Sequence, residues 1–296
     1  MYKFNREFFN VIDTEEKSYW LGFLAADGCV RENGKNKHQL VLKLSVRDIG
    51  HVEKFKKSLE SNHKTFIKES IVKTKKGTIS KSVYCVVRIS GTDLYNDLVD
   101  KGVGPRKTFT LDRPNIPEEY YRHYIRGLFD GDGHCEITEC KNDRLLIRYS
   151  IASASPNMID FLIDVLGKDN IFPKLRQINL RIDKTDENIR FYHYLYDGAT
   201  IYLDRKKETG DGFMNYHMDI MEWEKKYNTK KIMGKVRNDK DVDEIIKLYN
   251  QGFKPNVIIK YLPHLKIRQI YRRIEELKKN KIITNRVANT ELRKEG

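Results

Sequence analysis

The sequence predicts an α+β protein built from two repeated halves and closed by a small all-helical unit. Three observations lead there: an apolar, glycine-punctuated segment that occurs twice, alternating apolar runs of strand length after each copy, and short amphipathic helical stretches beyond a polar, charged interval near the C-terminus. With 296 residues the chain is long enough to bury a core without oligomerising.

The repeat lays Tyr19 to Gly28 (YWLGFLAADG) over Tyr124 to Gly133 (YIRGLFDGDG), with Tyr, Gly, Asp and Gly in the same frame and small residues matched at Ala26 and Gly131. Each copy reads as a core helix, apolar on most sides, that stops at a glycine suited to the left-handed cap position, Gly28 or Gly133. Small residues recur four apart, Gly22 with Ala26 and Gly127 with Gly131, so they share a face on which two backbones approach closely. Packing those faces together brings Asp27 and Asp132 side by side at the helix ends. Two adjacent carboxylates repel unless a cation neutralises them, and a hard oxygen ligand set points to Mg²⁺ or a similar metal.

The segments after the two copies are also repeated. Beyond Gly28, a polar turn at residues 32–35 leads into a predicted strand from Gln39 to Val46, then a helix marked by Val52, Phe55 and Leu59. The second half answers with a turn at residues 141–144, a strand from Leu145 to Ala152 and a helix carrying Met158, Phe161, Leu162 and Val165. Further strands are predicted at Thr65 to Lys73, Ser82 to Ser90, Lys174 to Ile182 and Asn188 to Tyr194.

Lys and Arg number 56 against 42 Asp and Glu, a formal charge of +14, in a chain whose 11% aromatic content marks it as folded rather than a basic tail. A folded protein this basic calls for a polyanionic partner. The strands and turns of the first half carry Arg31, Lys35, Lys37, Lys43, Arg47, Lys68, Lys73, Lys75 and Arg88; those of the second carry Arg144, Arg148, Arg176, Arg181 and Arg190. A basic strand face is a DNA saddle, because a β-ribbon fits the major groove and phosphate contacts position it there. No stretch is apolar for long enough to span a membrane, no secretory leader is visible at the start, and the four cysteines form no metal-binding or disulfide pattern. An intracellular protein with free thiols is expected.

Both segments resemble the LAGLIDADG motif of homing endonucleases, read here as Trp20 to Gly28 and Ile125 to Gly133. The resemblance extends over roughly residues 10–230. It implies two pseudo-symmetric αββαββα-type halves, residues 1–113 and 114–230, whose antiparallel sheets form saddles and whose motif helices form the interface. It further implies that Asp27 and Asp132, with the backbone of Ala26 and Gly131, bind Mg²⁺ (or Mn²⁺, with Ca²⁺ as a non-catalytic substitute), and that both DNA strands are cut across the minor groove to leave short 3′ overhangs. Two motifs in one chain imply a monomer acting on a long asymmetric duplex. The lysine that the family places late in each half corresponds to Lys107 and Lys206, with Lys207 a competitor for the second role. Where the family often has a water-arranging polar residue, this sequence offers Asp48 in one half and Ala154 or Ser155 in the other, which implies unequal cutting of the two strands. The sixth motif position also differs, Ala25 in one copy and Asp130 in the other.

Beyond an expected linker at residues 231–240, residues 241–296 read as a helix-turn-helix unit: helices from Asp241 to Asn250, Pro255 to Tyr261 and Leu265 to Lys279, with Ile245, Leu248, Tyr249, Val257, Ile258, Ile267, Ile270, Tyr271 and Ile274 as a miniature core. Lys266, Arg268, Arg272 and Arg273 make its last helix basic, as a major-groove reader needs. Two rival readings share the fold: a DNA-binding regulator without nuclease activity, and an intron RNA maturase. Both motif aspartates and both lysines survive, which an enzyme requires and a repressor does not. The helix-turn-helix tail favours duplex DNA over RNA. The absence of splicing residues at the ends leads to the expectation of a free-standing or intron-encoded protein rather than an intein.

Overall fold

The structure is a computed structural model that describes residues 2–32, 38–73, 79–139, 145–227, 239–279 and 282–283. Its first seven elements are α1 (Glu15–Asp27), β1 (Gly28–Glu32), β2 (His38–Ser45), α2 (Ile49–Ser58), β3 (Phe66–Lys73), β4 (Ile79–Ser90) and α3 (Thr92–Asp100). The order then repeats as α4 (Tyr121–Asp132), β5 (Gly133–Glu139), β6 (Leu145–Ala152), α5 (Pro156–Lys168), β7 (Lys174–Arg176), β8 (Asn179–Arg181) and α6 (Thr185–Tyr196). Each half is therefore αββαββα, and its strands form a four-stranded sheet in the order β1-β2-β4-β3 or β5-β6-β8-β7. The α+β architecture predicted from the repeat is the one observed.

By contact density the chain divides into two compact units, Met1–Glu136 with Ile147–Gly210, and Ile137–Leu146 with Asp211–Gly296. In the first, α1 and α4 form the centre. Thr14 caps α1 by accepting from the Lys17 amide at 3.3 Å, and Glu15 and Glu16 place negative charge in its first turn. Apolar residues then surround the helix on every side, and eight of its residues from Ser18 to Ala25 are buried. The pair packs backbone to backbone: a Cβ on Gly22 would lie 2.0 Å from the Tyr124 carbonyl oxygen, one on Gly127 2.0 Å from that of Tyr19, and one on Gly131 2.3 Å from the Ala26 Cβ. Trp20, Phe23, Val52 and Phe55 build the core on the α1 side; Ile125, Phe129, Phe161, Leu162 and Phe191 build it on the α4 side.

Neither motif ends as expected. Gly28 has φ −74° and ψ 139°, and Gly133 φ −81° and ψ 157°, so both are extended and open β1 and β5 rather than taking a left-handed cap. Glycine is required there by space: a Cβ would sit 2.6 Å from the Leu24 carbonyl oxygen in one copy and 2.3 Å from that of Phe129 in the other.

The second half departs from the prediction in two places. The run from Lys174 to Ile182 is not one strand but the hairpin β7–β8, turned at Gln177, whose φ is 58°. The segment from Asn188 to Tyr194, whose aromatic and branched residues predict a strand, lies inside α6. Its buried residues Asn188, Phe191 and Leu195 keep a helical spacing, and Asp186 and Glu187 occupy the first turn. Asn188 completes the sheet from that helix, accepting from the Tyr149 amide at 2.9 Å where backbone pairing stops.

The second unit contains α8 (Asp239–Asn250), α9 (Pro255–Tyr261) and α10 (Ile267–Lys279) around a core of Val242, Ile245, Leu248, Tyr249, Ile258, Leu262, Ile270, Ile274, Leu277 and Ile283. The remaining helix, α7, spans Asp204–Tyr227. Three residues expected in the small core are not buried there: Ile267 and Tyr271 are exposed and Val257 is half-buried, because α10 turns Ile270, Ile274 and Leu277 inward. Residues 228–238, most of the expected linker, lie outside the described residues.

The contact between α1 and α4 makes a direct prediction. Gly127→Ala forces a methyl into the Tyr19 backbone and should destabilise the protein by about 1–3 kcal/mol or more, whereas Gly50→Ala, where nothing lies within 4 Å, should be nearly silent. Chemical denaturation of the two variants checks this; equal midpoints would show that the helices do not pack this way.

Candidate active site

The backbone contact between α1 and α4 carries the two motif aspartates to adjacent helix ends. A Cβ built on Gly131 lies 3.4 Å from an Asp27 carboxylate oxygen, although the two residues are more than a hundred positions apart in the chain. Both Asp27 and Asp132 reach solvent, but the helix ends strip away much of their hydration. That burial, followed by the charge of Asp132, pushes the Asp27 carboxyl up to about 6; Lys206, Lys107 and Arg205 pull the other way. Burial likewise raises Asp132, against Lys107 and Lys206.

The two lysines occupy matched positions. Lys107, in a short 3₁₀ turn at Lys107–Phe109, donates to the carbonyl of Gly28. Lys206, in the first turn of α7, donates to the carbonyls of Gly133 at 2.5 Å, Phe129 at 2.6 Å and Gly131 at 3.3 Å. Gly28 and Gly133 are the same residue of the repeat, so each half delivers an ammonium group to carbonyls at the end of its own motif helix. Lys206 is the more enclosed, and burial lowers it to about 8. Lys207 instead lies over the Tyr202 ring, its Nζ 5.3 Å from the centroid. A cavity of about 270 Å³ opens beside Asp132 and Lys107, lined also by Ala26, Ser153 and Ala154.

Three residues expected at the site also have protein partners. The carbonyl of Gly131, expected beside a metal, accepts from Lys206 at 3.3 Å. Asp48 is buried and receives Arg205 Nε at 3.0 and 3.2 Å. Ser155 donates to the Leu111 carbonyl, leaving Ala154 and Ser153 at the cavity.

Sequence reading missed a buried polar layer behind the aspartates. Arg126, fully buried, donates to the carbonyls of Ile201 at 2.9 Å and Leu195 at 3.1 Å and pairs with Glu15 at 2.5 Å. Asp130, 1% exposed, accepts from the Leu203 amide at 2.7 Å and from the hydroxyls of Tyr19 at 2.8 Å and Tyr196 at 3.2 Å. The available signal was a charge inside an otherwise apolar helix, which is rarely buried unless partnered.

Strand register sorts the basic residues. In the first sheet Arg31 pairs with Gln39, Lys43 with Val86, Arg88 with Val41 and Lys68 with Tyr84, which places all four on the face opposite the buried Leu40, Leu42, Val87 and Ile89. Lys43 also stands over the Tyr84 ring at 3.8 Å. In the second sheet Arg148, Arg176 and Arg181 share the outer face and line a cleft of about 730 Å³, with Asp183 at 3.3 Å from Arg176 and 3.1 Å from Arg181. Arg47 lies in the turn after β2, beside Asp48 at 3.7 Å. Arg190 is not on the sheet: it belongs to α6 and holds the Asn170 carbonyl at 3.1 Å and Asp186 at 3.1 Å. Lys35, Lys37, Lys75 and Arg144 lie outside the described residues, as does the side chain of Lys73.

In the second unit Lys266, Arg268 and Arg272 are exposed. Arg273 is not on that surface; it is 2% exposed and lies 3.8 Å from the buried Asp241, which also receives His264 at 2.9 Å. Among the described residues the cysteines Cys29, Cys85 and Cys135 are free, and no helix is long and apolar enough to cross a membrane.

Residues 119–202 match the model of a family described as the LAGLIDADG-like domain. A segment of 165 residues, 55% of this chain, is 27% identical to the uncharacterized protein MJ0314 of Methanocaldococcus jannaschii and spans 58% of that protein. Among solved structures, the homing endonuclease I-WcaI bound to its DNA recognition sequence superposes with a TM-score of 0.48 at 12% identity, over 67% of this chain and 87% of that one. The LAGLIDADG meganuclease I-AabMI bound to uncleaved DNA gives 0.45 at 14% identity, over 70% and 91%. The LAGLIDADG homing endonuclease I-GzeII in complex with its DNA target gives 0.42 at 11%, over 90% and 98%.

The raised Asp27 carboxyl predicts a pH signature. A carboxyl that holds its proton more tightly when folded costs stability once ionised, so the penalty grows as pH rises from the unfolded value of about 4 and is complete above the folded value of about 6. In buffer free of divalent cations, Asp27→Asn should therefore raise the melting temperature more at pH 8 than at pH 4. An equal gain at both would show that the carboxylate is well hydrated.

Proposed function

We propose that this chain is a metal-dependent endonuclease that binds a long asymmetric site in double-stranded DNA as a monomer and cuts both strands, leaving short 3′ overhangs across the minor groove. The observation that carries the reading is the matched pair of half-sites. Asp27 and Asp132 stand at adjoining helix ends, and Lys107 and Lys206 are anchored on equivalent glycine carbonyls beside them.

The residues suit a hard divalent cation such as Mg²⁺ or Mn²⁺: they offer two hard carboxylates, and Asp27, raised first by burial and then by the charge of Asp132, would be relieved by positive charge between the two. Among the described residues no cluster of three or more His, Cys, Asp and Glu side chains supplements them, so Asp27 and Asp132 would hold the ion with backbone and solvent oxygens such as the Ala26 carbonyl. When bound, such an ion activates water and stabilises the oxygen that leaves phosphorus.

The chain supplies the remainder. Lys107 and Lys206 place fixed positive charge where a phosphate adds negative charge, and their carbonyl contacts hold both ammonium groups in place before DNA arrives. Arg31, Lys43, Lys68 and Arg88 on one sheet and Arg148, Arg176 and Arg181 on the other would track the phosphate backbone. The unit of α8 to α10 acts on this reading as a helix-turn-helix, with the exposed Lys266, Arg268 and Arg272 of α10 and its approach facing the groove.

Incubating the wild type and an Asp27→Asn, Asp132→Asn variant with a randomised duplex library in Mg²⁺, then sequencing cut ends, tests the reading. Site-specific double-strand cleavage is expected only from the wild type, with DNA retention kept in both. Sequence-specific retention without cutting by either would establish the regulator instead.

For the tail, Arg268→Ala with Arg272→Ala should weaken duplex binding and reduce the slope of log affinity against log salt by about two. An unchanged slope in a salt titration would remove α10 from the interface.

A further inference from the structure

Asp130 takes no part in the chemistry above, yet it is an almost fully buried carboxylate two residues from Asp132. An ionised carboxylate in such a place persists only if its partners replace the water it lost. Asp130 has three: the hydroxyls of Tyr19 and Tyr196 and the amide of Leu203. Because Tyr19 spends its proton on Asp130, its oxygen is left to accept from His51 Nε2 at 3.0 Å, which assigns the proton of that neutral imidazole to Nε2. A continuous polar chain thus runs from α2 through α1 and α4 to the start of α7.

The end of that chain is the informative part. Leu203 offers its amide to Asp130 and its carbonyl to the amides of Lys206 at 3.0 Å and Lys207 at 3.3 Å, so the residue that Asp130 grips is the one that starts α7. One turn later, the Lys206 ammonium returns to the carbonyls of Phe129 and Gly131, the residues on either side of Asp130. The loop from Asp130 to Leu203 to Lys206 and back to α4 is closed. Asp130 is also the charge that most offsets the burial of Lys206, ahead of Asp27 and Asp132.

Among the described residues the first half has no such device. Its matched position is Ala25, and Lys107 reaches Gly28 from a turn that starts at Arg106, held at a left-handed φ of 55°.

We propose that Asp130 is a positioning residue for Lys206 that exists in one half only, so that the DNA strand attended by Lys206 depends on Asp130 while the strand attended by Lys107 does not. The strand-specific part rests on the nuclease reading; the positioning part does not.

Two readouts test it on the full chain. Acetic anhydride labelling followed by mass spectrometry reports how firmly each amine is held. Asp130→Asn should raise Lys206 labelling about tenfold while leaving Lys107 unchanged, since a buried anchored amine reacts only when released. Tyr19→Phe, which removes one donor and keeps the ring, should move Lys206 in the same direction by less, and serves if Asp130→Asn folds poorly. Separate end-labels on the two strands of a cleaved duplex should show one strand slowed about tenfold or more and the other unaffected. Lys206 labelling that stays constant, or that rises together with Lys107, overturns the proposal, as does equal slowing of both strands. A wild type that cuts no duplex would defeat the nuclease reading, and the labelling result would still decide the role of Asp130.

Discussion

The approach of α1 to α4 through Gly22, Gly127 and Gly131 constrains everything else in the first unit. At these positions the helices have no side chain between them, and a single methyl would strike the Tyr124 or Tyr19 backbone. Such closeness leaves no room for long side chains at the helix ends, so the residues that project there, Asp27 and Asp132, are forced into one small volume. Each half can then be an ordinary αββαββα unit, its sheet packed on its own helices. The composite centre exists only because the two meet backbone to backbone.

The second layer of organisation is electrostatic and is not symmetric. On both sides an ammonium group caps carbonyls at a helix end, a placement that the helix dipole favours. Behind α4, however, lies a set of buried ionic and polar contacts, Arg126 with Glu15 and Asp130 with Tyr19, Tyr196 and Leu203, and through Arg126 and Asp130 it holds the segment from Leu195 to Leu203. A buried pair of this kind adds little net stability over apolar packing, but removing one partner strands the other. Its value lies in fixing where a chain segment runs.

Much of this is legible in the sequence because the repeat is spelled in residues whose physical meaning is narrow. Gly22 and Gly127 announce close helix packing, and the strand from Leu145 to Ala152 alternates so regularly that its predicted and observed bounds coincide. The lysines come from the resemblance, and the structure adds the reason for their reach, the carbonyls of Gly28 and Gly133. Other features depend on tertiary context. The residues 188–194 carry aromatic and branched side chains that suit a strand, but Asn188, Phe191 and Leu195 bury one face of a helix. Arg273 looks like its exposed neighbours Arg268 and Arg272 in the sequence, and only the rotation of α10 shows that it faces Asp241. The glycine after each aspartate reads as a turn residue when its role is steric.

The two sheets are unequal in a way that the repeat does not foretell. The outer hairpin of the first sheet has strands of 8 and 12 residues, while that of the second has two strands of 3. At roughly 3.3 Å per residue, close to the rise of a base pair, a long ribbon tracks a groove over several more steps than a short one. The two halves therefore differ in reach: whatever meets the first sheet can lie along an extended ribbon, whereas whatever meets the second finds only a stub.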